Sequence, residues 1–400
     1  MSTKLYQLAI QAQNVNIDNL PLTGFQYLRT AQLDAVTGWK FTYNINSNQI
    51  LTITNGSANV SHSNSMAVLS TGATTTASAK IQTYRPIFYI PGISGVVRLN
   101  AIFSLGAIGS KQIIGMGDTN SGLFFGCEGA EFGIFIRKDG VDQFVSQASW
   151  NGTDIAIDPT QGNNYYICYQ WLEFGVAVFG IENPINGTVT YVHTHSFVNN
   201  SETPFSSNPA LPLMAEVANT TNDSEVILKT ASAMAFLEGD PLTAIKALSL
   251  RHSITVTEVI PANVETPLVS IRGKSIFHSK ANRIPILIDF LGGDAEGTKP
   301  VTLSLKRSAT LTKNGNPVPE IDWIDVDENN SVVQTNLTAT AISGGTEMYA
   351  AFLSKDGAFN QIVNELWLIN PPSVVLTLSA KSSNSSTIEA TIVWLEVQFA

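Results

Sequence analysis

His193 and His195, set two apart in Tyr191-Val192-His193-Thr194-His195, are a pair whose type and spacing suit chemistry. On a strand both rings project from one face, as a metal pair requires. No cysteine or carboxylate-rich segment nearby completes a ligand set, so solvent-facing or hydrogen-bonded strand histidines are the expected state. Asp325-Val326-Asp327-Glu328-Asn329-Asn330 opens like a calcium loop, yet Asn330 stands where that loop needs glycine and Asn336 where it needs a bidentate glutamate. An acidic turn is the expectation there. Glu128 and Glu131 are spaced to act as an acid and a base, although carboxylates beside glycine turns are usually surface groups. Gly115, Gly117 and Gly122 resemble a phosphate loop, but an apolar strand follows them instead of a helix whose amides face the phosphate, and no Gly-Lys-Ser/Thr is present. Trp39, Trp150 and Trp171 are candidates for stacking on sugar rings, with Trp171 in a run that reads as core.

The chain contains neither a Gly-x-Ser-x-Gly elbow nor His-Glu-x-x-His. No catalytic, cofactor-binding or metal-binding residue is therefore expected, and the expectation is that the chain is not an enzyme. Cys127 and Cys168 show no metal or redox spacing, and buried thiols are expected ahead of a cross-strand disulfide.

The elements that hold these residues read as strands. Gln112 to Arg137 alternates apolar and aromatic runs with glycine turns, which predicts a β-meander. Short strands recur at turn-separated intervals on both sides of it, as in Ser78–Tyr84, Tyr165–Trp171 and Val176–Ile181. The fold class expected is all-β, with tandem β-sandwich or jelly-roll domains and one short connecting helix. Residues 1–24 read as an extended arm, 25–235 as the first sandwich, 236–250 as a helical connector and 251–400 as the second sandwich. The connector rests on Asp240 as N-cap, Pro241 at the first helical position and apolar residues three and four apart. The closing run Thr387–Phe399 alternates, with Ile388, Ala390, Ile392 and Trp394 on one side, and predicts a central or interface strand.

Composition narrows the function classes. With 400 residues, 44% of them hydrophobic, the chain can build substantial cores. Its 22 Lys and Arg against 32 Asp and Glu give a net charge of −10, with no basic run, so a nucleic-acid backbone is not an expected partner. The N-terminal apolar run is too short and too interrupted for a signal peptide, no stretch reaches membrane-spanning length, and the sequons read as turn chemistry.

Ile114-Gly115-Met116-Gly117-Asp118 with Gly122-Leu123-Phe124-Phe125-Gly126, then Phe132-Gly133-Ile134, Arg137 and Trp150-Asn151-Gly152, resembles a segment of virion structural proteins of phages and large DNA viruses. Val269-Ser270-Ile271-Arg272-Gly273-Lys274, Thr298-Lys299-Pro300-Val301, Asn330-Ser331-Val332-Val333-Gln334 and Trp394-Leu395-Glu396 are similar to a module of the same class, so the likeness spans residues 80–400 discontinuously. This resemblance implies a non-enzymatic spike, fibre, capsid-associated or tail protein located in the virion. Its implied partners are itself, as a homotrimer, and other virion proteins, with host-surface glycan as a further candidate and no cofactor. A lectin-like glycan-binding adhesin or carbohydrate-binding module is the alternative.

Overall fold

Residues of one parity along most strands are buried and those of the other parity are not, the pattern of sheets packed on one face. The structure, a computed structural model, describes residues 33–88, 90–170, 173–206, 210–239, 249–354, 357–362, 368–369 and 374–397. The protein is all-β: among the described residues the helical elements are single 3-10 turns at Gln147–Ser149 and Glu320–Asp322. The expected arm at 1–24 and the helix at Asp240–Leu248 lie outside the described residues.

Two antiparallel sheets face each other across the first core. The seven-stranded sheet runs, in spatial order, Val141–Ser146, Glu131–Lys138, Gly122–Glu128, Ser110–Gly117, Leu213–Asn219, Ser78–Thr83 and Ile50–Asn55. The nine-stranded sheet runs Val189–Ser196, Val176–Glu182, Asn163–Gln170 and Ser94–Phe103. It then divides, one branch continuing through Ser232–Glu238 to Leu33–Lys40 and the other through Ile227–Thr230 to Met66–Ser70 and Asn59–Ser63. Between the sheets lies an aromatic cluster in which Phe125 meets Tyr165 at 4.8 Å and Phe179 edge-on at 5.4 Å.

The predicted meander forms three consecutive strands of the seven-stranded sheet. Its glycines are there for space. A Cβ on Gly115 would stand 2.1 Å from the Leu123 carbonyl oxygen, and one on Gly126 2.0 Å from that of Gln112. On the same outer face Phe124 lies over Gly117 and Gly122, and Phe144 lies over Gly133. Phe124, Phe135, Ile113 and Met214 are thereby buried as a second apolar layer. Arg137 closes this layer, its guanidinium 5.1 Å over the Phe124 ring. Its Nε and Nη2 donate to the Asp142 carboxylate at 2.6 and 3.0 Å, and Nη1 donates to the Asp118 carbonyl at 2.8 Å. Burial alone would raise the Asp142 pKa, but the hydrogen bonds from Arg137 and Lys111 outweigh it and hold the carboxyl below the usual range. Removing one partner of such a pair costs about 3–5 kcal/mol.

The second half packs a five-stranded sheet, with Ser386–Glu396 between Leu250–Ile260 and Ile286–Glu296, against a six-stranded one centred on Thr266–Gly273 and Leu376–Ser382. The closing strand is central, as its alternation predicts. Ile388, Ala390, Ile392 and Trp394 are fully buried in the second core, while Leu395 and Val397 join the first.

One stretch departs from the sequence reading. The sequence pattern names no individual strand between Pro212 and Ser253, yet Leu213–Asn219, Ile227–Thr230 and Ser232–Glu238 are strands. Small and large apolar residues share the buried side of these strands: Ala215 with Leu213 and Val217, and Ala233 and Ala235 with Leu237, all facing the core. Tertiary packing overrides propensity there.

Glycine spacing in the meander gives a direct test. Gly115→Ala should lose at least ~3 kcal/mol of stability in urea unfolding, because the colliding atom is backbone. Gly162→Ala, whose Cβ would meet only Ile102 Cγ1 at 4.0 Å, should stay within about 0.5 kcal/mol of wild type. Equal effects would contradict the packing argument.

Candidate functional site

The outward face of the nine-stranded sheet carries a line of aromatic and cationic groups, of which Tyr191 and Arg98 are exposed and Tyr166 and Phe236 half-buried. Along Asn163–Gln170, Tyr165, Ile167 and Tyr169 enter the core, so Asn164, Tyr166 and Cys168 face out. Register places Tyr191, Gly180, Tyr166, Arg98, Met234 and Gly38 in one row across six strands. Tyr191 is 50% exposed, and Gly180 leaves room between the two tyrosines because a Cβ there would meet Tyr191 at 3.2 Å. Arg98 lies between rings, 5.8 Å from the Tyr166 centroid and 5.3 Å from that of Phe236.

The adjacent row is polar. Asn164 Nδ2 donates to Glu182 at 2.8 Å, and Asn100 Nδ2 donates to Ser232 at 2.8 Å while its Oδ1 accepts from the Ala231 amide at 2.8 Å. Burial, with the nearby Glu182 charge adding to it, raises the Tyr166 pKa, so the phenol stays protonated as a donor. Of these residues, Arg98, Asn100, Asn164, Tyr166, Met234 and Phe236 border a groove of about 340 Å³. Aromatic faces beside fixed amides and a cation suit a ligand with apolar faces and many hydroxyls.

Of the residues singled out from sequence, Trp39 borders this groove from the core side, and the other described ones lie elsewhere. His193 and His195 do share a face, but it is the inward one: a bulge at Val192 turns His193 against Phe179. The rings stand 6.5 Å apart, and His195 packs edge-on to Phe197 at 4.6 Å. Neither ring nitrogen of His193 has a hydrogen-bond partner among the described residues, so the expected hydrogen-bonded histidine is an apolar core residue. Among the described residues no group of three or more His, Cys, Asp or Glu is placed to hold a metal ion.

The acidic turn at 325–330 encloses an ammonium. Lys274 Nζ lies 3.0 Å from Asp325 Oδ2 and donates to the carbonyls of Asp327 at 3.0 Å and Glu328 at 3.2 Å, taking the place a cation would have. Asp327 Oδ1 accepts the amides of Asn329 and Asn330 at 2.9 Å each, an Asx turn.

Glu128 and Glu131 face each other across the ladder at an exposed hairpin tip. Gly115, Gly117 and Gly122 are strand residues, and Gly117 N–H donates to the Pro212 carbonyl. Of the tryptophans, Trp39 is 6% exposed and donates to Thr230, and Trp150 packs edge-on to Phe125 and Phe132. Trp171 lies outside the described residues. Cys127 is inward, its thiol pushed up to about 12 by burial, and Cys168 is outward on the opposite sheet, so no disulfide joins them. Sequence reasoning missed Tyr166, Arg98 and Phe236. The signal was the doublet Tyr165-Tyr166, whose two rings must point to opposite faces.

No protein-family model matches the chain, and no curated protein does. Solved structures that resemble parts of it include a protein of unknown function from Shewanella oneidensis MR-1, at 13% identity over 58% of this chain and 93% of that one, with a TM-score of 0.37. A beta-1,3-glucanase from Mycobacterium marinum matches at 12% identity over 50% of this chain and 98% of its own, TM-score 0.38. The carbohydrate recognition domain of Emp46p matches at 7% identity over 50% and 95%, TM-score 0.35. One expectation is corrected: the chain was read as catalysing nothing because serine-elbow and zinc-helix motifs are missing, yet several matched structures are named glycosyl hydrolases or glucanases. Glycoside hydrolysis uses two carboxyl groups, so those missing motifs do not exclude catalysis.

The buried histidines predict a pH dependence. Burial lowers the pKa of both, and for His193 the neighbouring His195 adds to it. The unfolded chain takes up these protons near pH ~6.5, the folded chain only below that. Stability is therefore full above this pH and falls as pH drops through it toward the lowered folded values. The urea midpoint should decrease from pH 7 to pH 5, and His193→Leu should flatten that decrease. An unchanged slope in the variant would contradict the assignment.

Proposed function

We propose that the outward face of the nine-stranded sheet is a saccharide-binding platform, making the protein a lectin-like glycan binder. The observation behind this reading is Arg98 held between the Tyr166 and Phe236 rings on an open sheet face, beside the Glu182, Asn164 and Asn100 polar row. Sugar rings offer C–H faces to aromatics and hydroxyl edges to amides and carboxylates, and both are supplied side by side. Tyr166→Ala removes the stacking face without touching the inward Tyr165. In glycan-array and titration measurements it should weaken saccharide affinity at least ~10-fold, equivalent to about 1.4 kcal/mol, with an unchanged thermal midpoint. Absence of binding to any saccharide, or wild-type affinity in Tyr166→Ala, would overturn the reading.

A second reading, a virion component that self-associates with a trimer as the expected state, is favoured by one feature. Strand Leu250–Ile260 pairs over eleven residues with Ser386–Glu396 and, among the described residues, leaves its other edge open. Open edges of this length invite pairing with another chain. Mass spectrometry of purified particles should then find the protein in many copies, and Val256→Pro on that edge should reduce assembly. Its absence from particles would end this reading.

A further inference from the structure

Beside the platform lies a larger groove of about 500 Å³ at the junction of the two halves, sharing Met234 and Gly38 with the row described above. Its lining includes Arg85, Arg307, Tyr84, Asn48 and Gln49, and among the described residues no aspartate or glutamate lines it. In a chain with a net charge of −10 this is unusual ground for two guanidiniums.

Neither arginine has a carboxylate partner among the described residues. Arg85 Nε is sealed from solvent without a hydrogen-bond acceptor, and burial lowers that side chain's pKa to about 10. Arg307 lies 5.4 Å over the Tyr84 ring and gives one hydrogen bond, from Nη1 to the Asn48 carbonyl at 3.2 Å, and burial lowers its pKa as well. Elsewhere in the protein, enclosed arginines are paired: Arg137 with Asp142 and Arg272 with Glu320. Desolvated guanidiniums without counter-ions are unfavourable until an oxyanion meets them, and their forked donors match carboxylate and sulfate. Arg98, also without a carboxylate partner, stands in the row that leads toward this groove, whereas Glu182 stands at the platform's far end.

We infer that the groove of Arg85 and Arg307 binds the anionic group, carboxylate or sulfate, of an acidic saccharide whose neutral rings lie along Tyr166 and Arg98. The inference rests on the platform reading and sets its ligand class.

Isothermal titration of the full chain with trigalacturonic acid, with its methyl ester and with a sulfated chondroitin disaccharide tests it. At least one acidic ligand should bind ten-fold or more tightly than the ester, and the preference should shrink as salt rises. Carboxylate and sulfate are separated by which acidic ligand binds. Arg307→Gln, on the more open of the two arginines, should erase the preference while leaving ester affinity and thermal midpoint unchanged. Arg85→Gln should do the same and, by removing an unpaired buried charge, should not lower the midpoint. Tyr166→Ala should weaken all bound ligands equally. Equal binding of acid and ester, or a preference that survives Arg307→Gln, overturns the inference and leaves the platform standing. Binding of none of the three overturns it together with the platform's assignment to this class of saccharide. Loss in Arg307→Gln with none in Tyr166→Ala overturns the inferred path along the platform.

Discussion

Backbone contact at glycine is the constraint on which the first half of this protein depends. At Gly115 and Gly126 the neighbouring strand's carbonyl oxygens come so close that no side chain fits. Phe124 of the meander then lies over Gly117 and Gly122, and Phe144 of the next strand over Gly133, and the seven-stranded sheet gains apolar packing on both faces. Arg137 completes the outer layer by stacking on Phe124 while its charge is met by Asp142, so a cation sits in an apolar layer without being left unpaired.

That sheet fixes what the opposite sheet shows to solvent. Phe125 projects from the meander into the core and meets Tyr165 and Phe179. With Tyr165 locked inward, strand alternation sends Tyr166 outward beside Arg98. A slip of Asn163–Gln170 by one residue would exchange the two tyrosines and leave Arg98 without Tyr166 beside it, which makes the register strongly specified. The second half uses a different device, the fully buried Glu396 carboxylate, which accepts from Ser331 Oγ at 2.5 Å, the Val332 amide at 2.7 Å and Trp394 Nε1 at 3.2 Å. These bonds tie the central closing strand to the loop that follows the Lys274-filled acidic turn.

Much of this architecture was legible in the chain. The strands at Ser78–Thr83, Asn163–Gln170 and Val176–Glu182 follow from alternation and flanking turns, and the closing strand's buried face was readable residue by residue. The Leu213–Glu238 strands were not, because alanine in a close-packed sheet looks like alanine in a helix. The platform was hidden for a different reason: adjacent tyrosines are chemically identical in sequence, and it takes the packing of Phe103, Phe125 and Phe132 on Tyr165 to decide which is buried. The two-arginine groove could not be read at all, since Arg85 and Arg307 come together only when the two halves pack. The histidine pair was legible as sharing one face but not as to which face, because one bulge at Val192 turns it inward.

Methyl spectroscopy on the six methionines would test the central claim, that saccharide lies on the outward face of the nine-stranded sheet. Met234 stands in the platform row and borders both grooves, Met348 lines the arginine groove, and Met116 and Met214 are fully buried in the opposite sheet. With the tightest-binding saccharide from an array, the account predicts that the Met234 methyl signal shifts, and Met348 with it for an acidic ligand, while Met116 and Met214 stay in place. Saturation of binding with no change at Met234 would contradict it.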